Sequence, residues 1–208
     1  MSTLVLVRHA QATAFEKDTD RLSAIGEQQS IRLGEYWREL GVRFDEVYTG
    51  TMQRHLRTAE LAGYSKYESN AAFNEYDAYG ILRSSPDYQR PTDNRQLQKM
   101  FEATMPLWIA GTLGAPGVET FQAFRDRVLR GFRAILDADV PSRRVVVFTS
   151  GGPIGVAVQT VLRAPDPMAI ELNWRIRNCS LTEFVFTRDR VSLDSFNASP
   201  HLREVTYR

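Results

Sequence analysis

Two short runs, Leu4-Val5-Leu6-Val7 and Val145-Val146-Val147-Phe148, carry an apolar side chain at every position. A strand covered on one face alternates apolar and polar residues. A strand apolar on both faces must be covered on both, as in a parallel sheet between layers of helices. The rest of the pattern fits that frame. Ser23 can cap a helix running to about residue 40, with Leu33, Tyr36, Trp37 and Leu40 on one face and Gly41 as its stop. A second strand is predicted at residues 44–48, and a helix at 52–62 that Gly63 ends. Residues 71–116 are interrupted by Ser84-Ser85-Pro86 and Arg90-Pro91, with a helix at about 96–109. Phe121, Phe124, Val128, Phe132, Ile135 and Leu136 form one helical stripe. Gly151-Gly152-Pro153 opens another helix whose buried face is Ile154, Ala157, Val158 and Val161. Residues 181–186 and 191–196 read as final strands. Strands alternating with helices predict an α/β fold of three layers, α/β/α, with a mostly parallel central sheet. Residues 1–208 are expected to form a single domain, with a small helical cap inserted at about 76–117.

Charge narrows the partners. The formal net charge is +1 over 208 residues, so no global field draws the chain to nucleic acid or to an anionic membrane, and any anion site must be local. The single cysteine, Cys179, can make no internal disulfide and reads as a small buried residue. No Cys/His cluster has zinc spacing, so neither a metal nor a cofactor is expected. The apolar run at the start is too short for a signal peptide or a membrane span, which gives a cytoplasmic expectation. The sequence leaves the oligomeric state open.

Open α/β sheets bind ligands beyond the carboxyl ends of their strands. Three strand ends here carry groups suited to an anion: Arg8-His9, then Gly50-Thr51-Met52-Gln53-Arg54, then Thr149-Ser150-Gly151-Gly152. If the three strands are neighbours, these groups converge. Guanidinium forks from Arg8 and Arg54 match phosphoryl oxygens, and N–H groups at the Gly151-Gly152 helix start favour an anion. A neutral His9 can attack phosphorus and form a phosphohistidine, with the arginines stabilising the charge without a metal. Each piece taken singly has a plainer reading, a turn or a solvated helix face; the joint placement carries the idea.

The motifs also resemble a known family, the histidine phosphatase (phosphoglycerate mutase-like) superfamily. Leu6-Val7-Arg8-His9-Ala10 is similar to its strand followed by R-H-G or R-H-A. Asp20-Arg21-Leu22-Ser23-Ala24-Ile25-Gly26-Glu27-Gln28-Gln29 is similar to D-x-L-T-x-x-G-x-x-Q. Arg54 with Thr58, Ala59 and Glu60 resembles R-x-x-x-T-A-E, and Phe73-Asn74-Glu75 stands at an L-x-E motif. Glu119-Thr120 with Arg127-Val128, then Asn178-Cys179-Ser180 and Phe196-Asn197, resemble later signatures. The resemblance implies that His9 accepts the phosphoryl group, that Arg8 and Arg54 bind it, and that Glu75 protonates the leaving group; a solvated loop carboxylate is the alternative for Glu75.

The chain departs from the family at three places. Ser150 stands where a second histidine usually helps to bind the phosphoryl group, and it brings a hydroxyl but no positive charge. On this basis Ser150→His is expected to raise the rate. His55 and His201 are read as structural or surface residues. Ala10-Gln11 replaces the commoner Gly-Glu, and Phe15 stands where mutase-type members carry asparagine, which favours the phosphatase branch. The expected function is a metal-independent phosphatase acting through phospho-His9 on a small phosphomonoester or a protein phosphohistidine. A weak or inactive phosphate-ligand or partner-binding protein on the same fold is the alternative, and a phosphomutase the third. Arg83, Arg90, Arg95 and Lys99 in the cap either contact an acidic substrate or form a solvated face.

Overall fold

A computed structural model of the chain describes residues 1–13, 19–114, 116–138, 140 and 142–207. Phe15 lies outside the described residues. Six strands form one sheet: β1 (Ser2–Arg8), β2 (Glu46–Thr49), β3 (Glu68–Ser69), β4 (Arg144–Thr149), β5 (Leu181–Phe186) and β6 (Val191–Ala198). Their order is β3-β2-β4-β1-β5-β6. The first four run parallel, and β5 pairs antiparallel with β1 and with β6. The two apolar runs are therefore neighbours at the centre, in register from Thr3↔Arg144 to Arg8↔Thr149.

Period-two alternation divides these strands between two cores. Leu4, Leu6, Val145, Val147, Phe184 and Phe186 face one side, against α4 (Asn94–Ile109), α5 (Phe121–Leu136), α6 (Gly151–Val161) and α7 (Pro167–Asn173). Val5, Val7, Val146, Phe148 and Leu181 face the other, against α1 (Ala24–Glu39) and α2 (Gln53–Leu61). Each fully buried aliphatic or phenyl side chain contributes about 1.5–3 kcal/mol of transfer free energy, so losing either helical layer would strand several such contributions. Trp37 anchors the α1 layer, with its ring 4.9 Å from Phe44 and 6.3 Å from Phe148, both edge-on.

Caps set the helix starts. Ser23, Asp93 and Thr120 accept hydrogen bonds from the N–H groups of Gly26, Gln96 and Ala123. The structure differs from expectation in several elements. Leu40 is exposed at the C-cap of α1 and not on its buried face. Helix α6 is buried on every side as far as Gln159, because α5, α7 and the sheet surround it. The short α3 (Ala78–Arg83), α7, β3 and the 3-10 turn Ala71–Phe73 were not anticipated from the sequence. Residues 76–117 carry α3 and α4, and Leu97, Phe101, Met105 and Trp108 of α4 join the core shared with α5 and α6. Among the described residues no helix is long and apolar enough to cross a membrane.

Candidate active site

Because β2, β4 and β1 are adjacent and parallel, their carboxyl ends form one rim. Arg8 pairs with Thr149, and Thr49 pairs with Phe148, so His9, Ser150 and Gly50 follow side by side. The backbone N–H of His9 donates to the Thr149 carbonyl at 2.8 Å, and that of Cys179 to the His9 carbonyl at 3.2 Å, which fixes the His9 main chain between two strands. The His9 side chain is 8% exposed. Its Nδ1 lies 2.8 Å from the Ala10 carbonyl. A carbonyl only accepts, so Nδ1 carries the proton and Nε2 carries the lone pair. Burial, then Arg54, Arg8 and His55, hold the His9 pKa well below the ordinary imidazole range, which favours the neutral, nucleophilic ring.

Arg54 sits in the first turn of α2, where its guanidinium Nη1 donates to Asp20 at 2.9 Å while Asp20 also accepts from the Gln53 N–H at 2.9 Å. Asp20 thereby caps α2 from a remote loop and restrains Arg54. The Arg54 Nε is buried with no hydrogen-bond partner among the described residues. Arg8 donates to the Ile176 carbonyl and lines the cleft above the rim.

Glu75 follows the 3-10 turn and lies across the start of α6. Its carboxylate accepts from Gly152 N–H at 3.1 Å and from Tyr76 N–H at 3.3 Å. Burial pushes its pKa above the ordinary carboxylate range; the Gly152 N–H, Arg54, Arg8 and the Tyr76 N–H pull it back without cancelling that effect. Gly152 is required by this approach, since a Cβ there would lie 2.0 Å from the Glu75 carboxylate. The helix start that the sequence assigned to an external anion thus already takes a carboxylate of the chain itself. Glu75 is held in place by α5: Arg127 forks onto Glu119 at 2.8 and 2.9 Å and donates to the carbonyls of Ala71, Ala72 and Asn74.

Ser150 is fully buried at the N-cap of α6. Its Oγ lies 2.7 Å from His55 Nε2, and the His55 ring centroid is 5.7 Å from that of His9. Of the reading of His55 as a structural or surface residue, the surface half does not hold: it is 0% exposed, and its ring lies beside His9 and Ser150 at the rim. A signal existed, since His55, Thr58, Ala59 and Ala62 share the buried face of α2 at helical spacing. His201, by contrast, packs on Tyr36 in another part of the molecule, and burial lowers its pKa to about 4.

Above the rim opens a cleft of about 460 Å³ lined by Arg8, Glu75, Phe101, Met105, Trp174 and Tyr207, among others. Arg83, Arg90, Arg95 and Lys99 are all exposed and none of them lines it.

With this geometry in view, the chain matches the histidine phosphatase superfamily, branch 1, over residues 4–199, and it belongs to that superfamily. Its sequence is 28% identical over 193 residues to a probable phosphoglycerate mutase, GpmB, of Salmonella newport, covering 88% of this chain and 84% of that protein. Its fold is similar to that of a phosphoserine phosphatase mutant of Entamoeba histolytica solved with phosphoserine (TM-score 0.70, 18% identity, 97% of this chain and 100% of that one). It is similar also to a putative α-ribazole-5'-P phosphatase of Escherichia coli (TM-score 0.72, 20% identity, 95% and 97%). A third similar structure is a mycobacterial glucosyl-3-phosphoglycerate phosphatase with VO3 (TM-score 0.66, 21% identity, 95% and 99%).

Proposed function

We propose that the protein is a phosphoric monoester hydrolase working through phospho-His9. The observation that carries this reading is the His9 ring itself, with Nδ1–H tied to the Ala10 carbonyl and Nε2 left as a lone-pair donor in the field of Arg54 and Arg8. In the first step Nε2 attacks phosphorus, the P–O bond to the leaving alcohol breaks, and Glu75 passes its proton to that oxygen. In the second, water attacks phosphorus, Glu75 takes a proton from it, the P–N bond breaks and inorganic phosphate leaves. Arg8 and Arg54 neutralise the charge on the transferring oxygens, and the unpartnered Arg54 Nε offers one further donor. No step draws on a metal or cofactor.

The cleft supports a small substrate whose leaving group is uncharged and partly aromatic, because Phe101, Met105, Trp174 and Tyr207 line it and Arg8 is the sole cation among its described lining residues. The likeness to GpmB favours a mutase as the second reading. A phosphoglycerate carboxylate bound in this cleft would meet Arg8, which the phosphoryl group also needs, and a mutase must keep water from its phosphoenzyme.

Para-nitrophenyl phosphate hydrolysis at mildly acidic pH, with and without chelator, tests the reading. We expect turnover that survives chelation, a phosphoenzyme trapped by rapid quench, and loss of both in His9→Ala. Undiminished turnover in His9→Ala would overturn it. Vanadate binding without turnover would instead make the protein a phosphate-ligand module, and bisphosphate-primed transfer without phosphate release would make it a mutase.

A further inference from the structure

His55 and Ser150 meet in a buried side-chain hydrogen bond between α2 and the start of α6. Ser150 occupies the N-cap of α6 yet makes no side-chain capping bond, although serine at that position ordinarily does. Its hydroxyl instead meets His55 Nε2 at 2.7 Å. The ring is admitted by a close approach at the β2 end: a Cβ on Gly50 would lie 2.1 Å from His55 Nδ1. That Nδ1 is buried and has no hydrogen-bond partner among the described residues. A buried N–H left unpaired is rarer than a bare acceptor, so the proton belongs on Nε2, where it is donated to Ser150 Oγ. With its oxygen accepting from His55, Ser150 has its own hydroxyl proton to give. The strand register sets Ser150 beside His9, and the two imidazoles are 5.7 Å apart. Burial and Arg54 keep His55 neutral, which agrees with the single proton on Nε2.

We propose that His55 and Ser150 form a two-membered donor chain, in which His55 Nε2–H donates to Ser150 Oγ and the Ser150 hydroxyl donates to a phosphoryl oxygen during transfer to His9. The inference rests on the phospho-His9 reading. No bond to phosphorus and no net proton transfer is involved; the chain orients one donor. In this proposal Ser150, buried in the substrate-free protein, meets the phosphoryl oxygen once substrate is bound and is catalytic in that sense, while His55 is a positioning residue. An imidazole thus serves the site from α2, whereas the family resemblance leads one to expect it at position 150, at the β4–α6 junction. The expectation that Ser150→His raises the rate is revised accordingly. The space a new ring needs is filled by His55, so that variant alone is expected to be slower than the wild type.

The test is a double-mutant cycle on para-nitrophenyl phosphate turnover. Ser150→Ala and His55→Leu are each expected to lower kcat/KM by about 10²-fold, the loss typical of one aimed donor. The double variant should be no slower than the slower single, since the two act as one unit. His55→Gln, which keeps a donor near the Nε2 position, should recover most of the loss, and His55→Ala combined with Ser150→His should outpace Ser150→His alone. Wild-type rates in Ser150→Ala, additive losses, or His55→Gln as slow as His55→Leu would each overturn the proposal. If circular dichroism shows that His55→Leu does not fold, Ser150→Ala and the His55→Ala/Ser150→His exchange decide it. His9→Ala separates the two levels: full turnover in that variant removes the phosphohistidine reading, whereas a dead His9→Ala beside a fully active Ser150→Ala removes only the donor chain.

Discussion

Glu75 is subject to two opposed influences. Burial disfavours its charge, and the N–H groups at the start of α6 favour it. Burial prevails, and the direction has two consequences. A general acid must be protonated, so hydrolysis of alkyl phosphates should fall as pH rises through the elevated Glu75 pKa, while the lowered His9 pKa moves any opposing limb from imidazole protonation toward lower pH. Glu75→Gln is expected to abolish that pH dependence and to cost about 10²–10⁴-fold on alkyl phosphates, with a smaller loss on para-nitrophenyl phosphate, whose leaving group needs little protonation. Steady-state profiles on both substrates check this. The second consequence concerns stability. The folded state binds the Glu75 proton more tightly than the unfolded chain does, so ionisation destabilises the fold progressively from the unfolded pKa up to the folded one. Glu75→Gln should therefore raise Tm at neutral pH, and the gain should vanish on acidification below the ordinary carboxylate range. Thermal unfolding at the two pH values reads it directly.

At the scale of elements, the site depends on α5 although none of its residues lines the cleft. Arg127 reaches from α5 to three carbonyls of the segment leading into Glu75. Arg127→Ala would leave those carbonyls to find other partners, at about 1–3 kcal/mol, and would loosen the placement of Glu75. We expect kcat on alkyl phosphates to drop more than kcat on para-nitrophenyl phosphate, together with a lower urea midpoint; equal losses on both substrates would count against a link through Glu75. The long elements were legible in the sequence for physical reasons: β1 and β4 from uninterrupted apolar runs, α1 from its Ser23 cap and apolar face, α5 from its apolar stripe. Elements such as β3, α3 and α7 were not, because two to seven residues hold too little periodicity to stand out. Burial of Ala169 and Ile170 in α7 comes from contact with α6, which is tertiary information. Arg8, His9 and Arg54 were readable from their positions after strands. Glu75 was singled out through family motifs alone. The partnership of His55 and Ser150 joins residues 95 apart in sequence, and only the fold brings them together.

Across the whole molecule, Trp108 ties the cleft to the core. It is 1% exposed, its Nε1–H donates to the Glu119 carbonyl at 2.8 Å, and its ring lies 4.9 Å from Tyr76 and 5.3 Å from Phe121. Trp108→Ala should cost about 3–5 kcal/mol and lower Tm by about 10 °C. Tyr76 lines the cleft, so KM should rise as well, measurable at a temperature where the variant is still folded. The floor of the cleft is made at strand ends, whereas its ceiling is assembled from α4, the end of α7 and Tyr207. Such a division lets inheritance, or an engineer, retune diet without retraining the workforce: libraries confined to Gln98, Phe101, Met105 and Trp174 can redirect the chain toward new esters while the bond-breaking apparatus stays as it was.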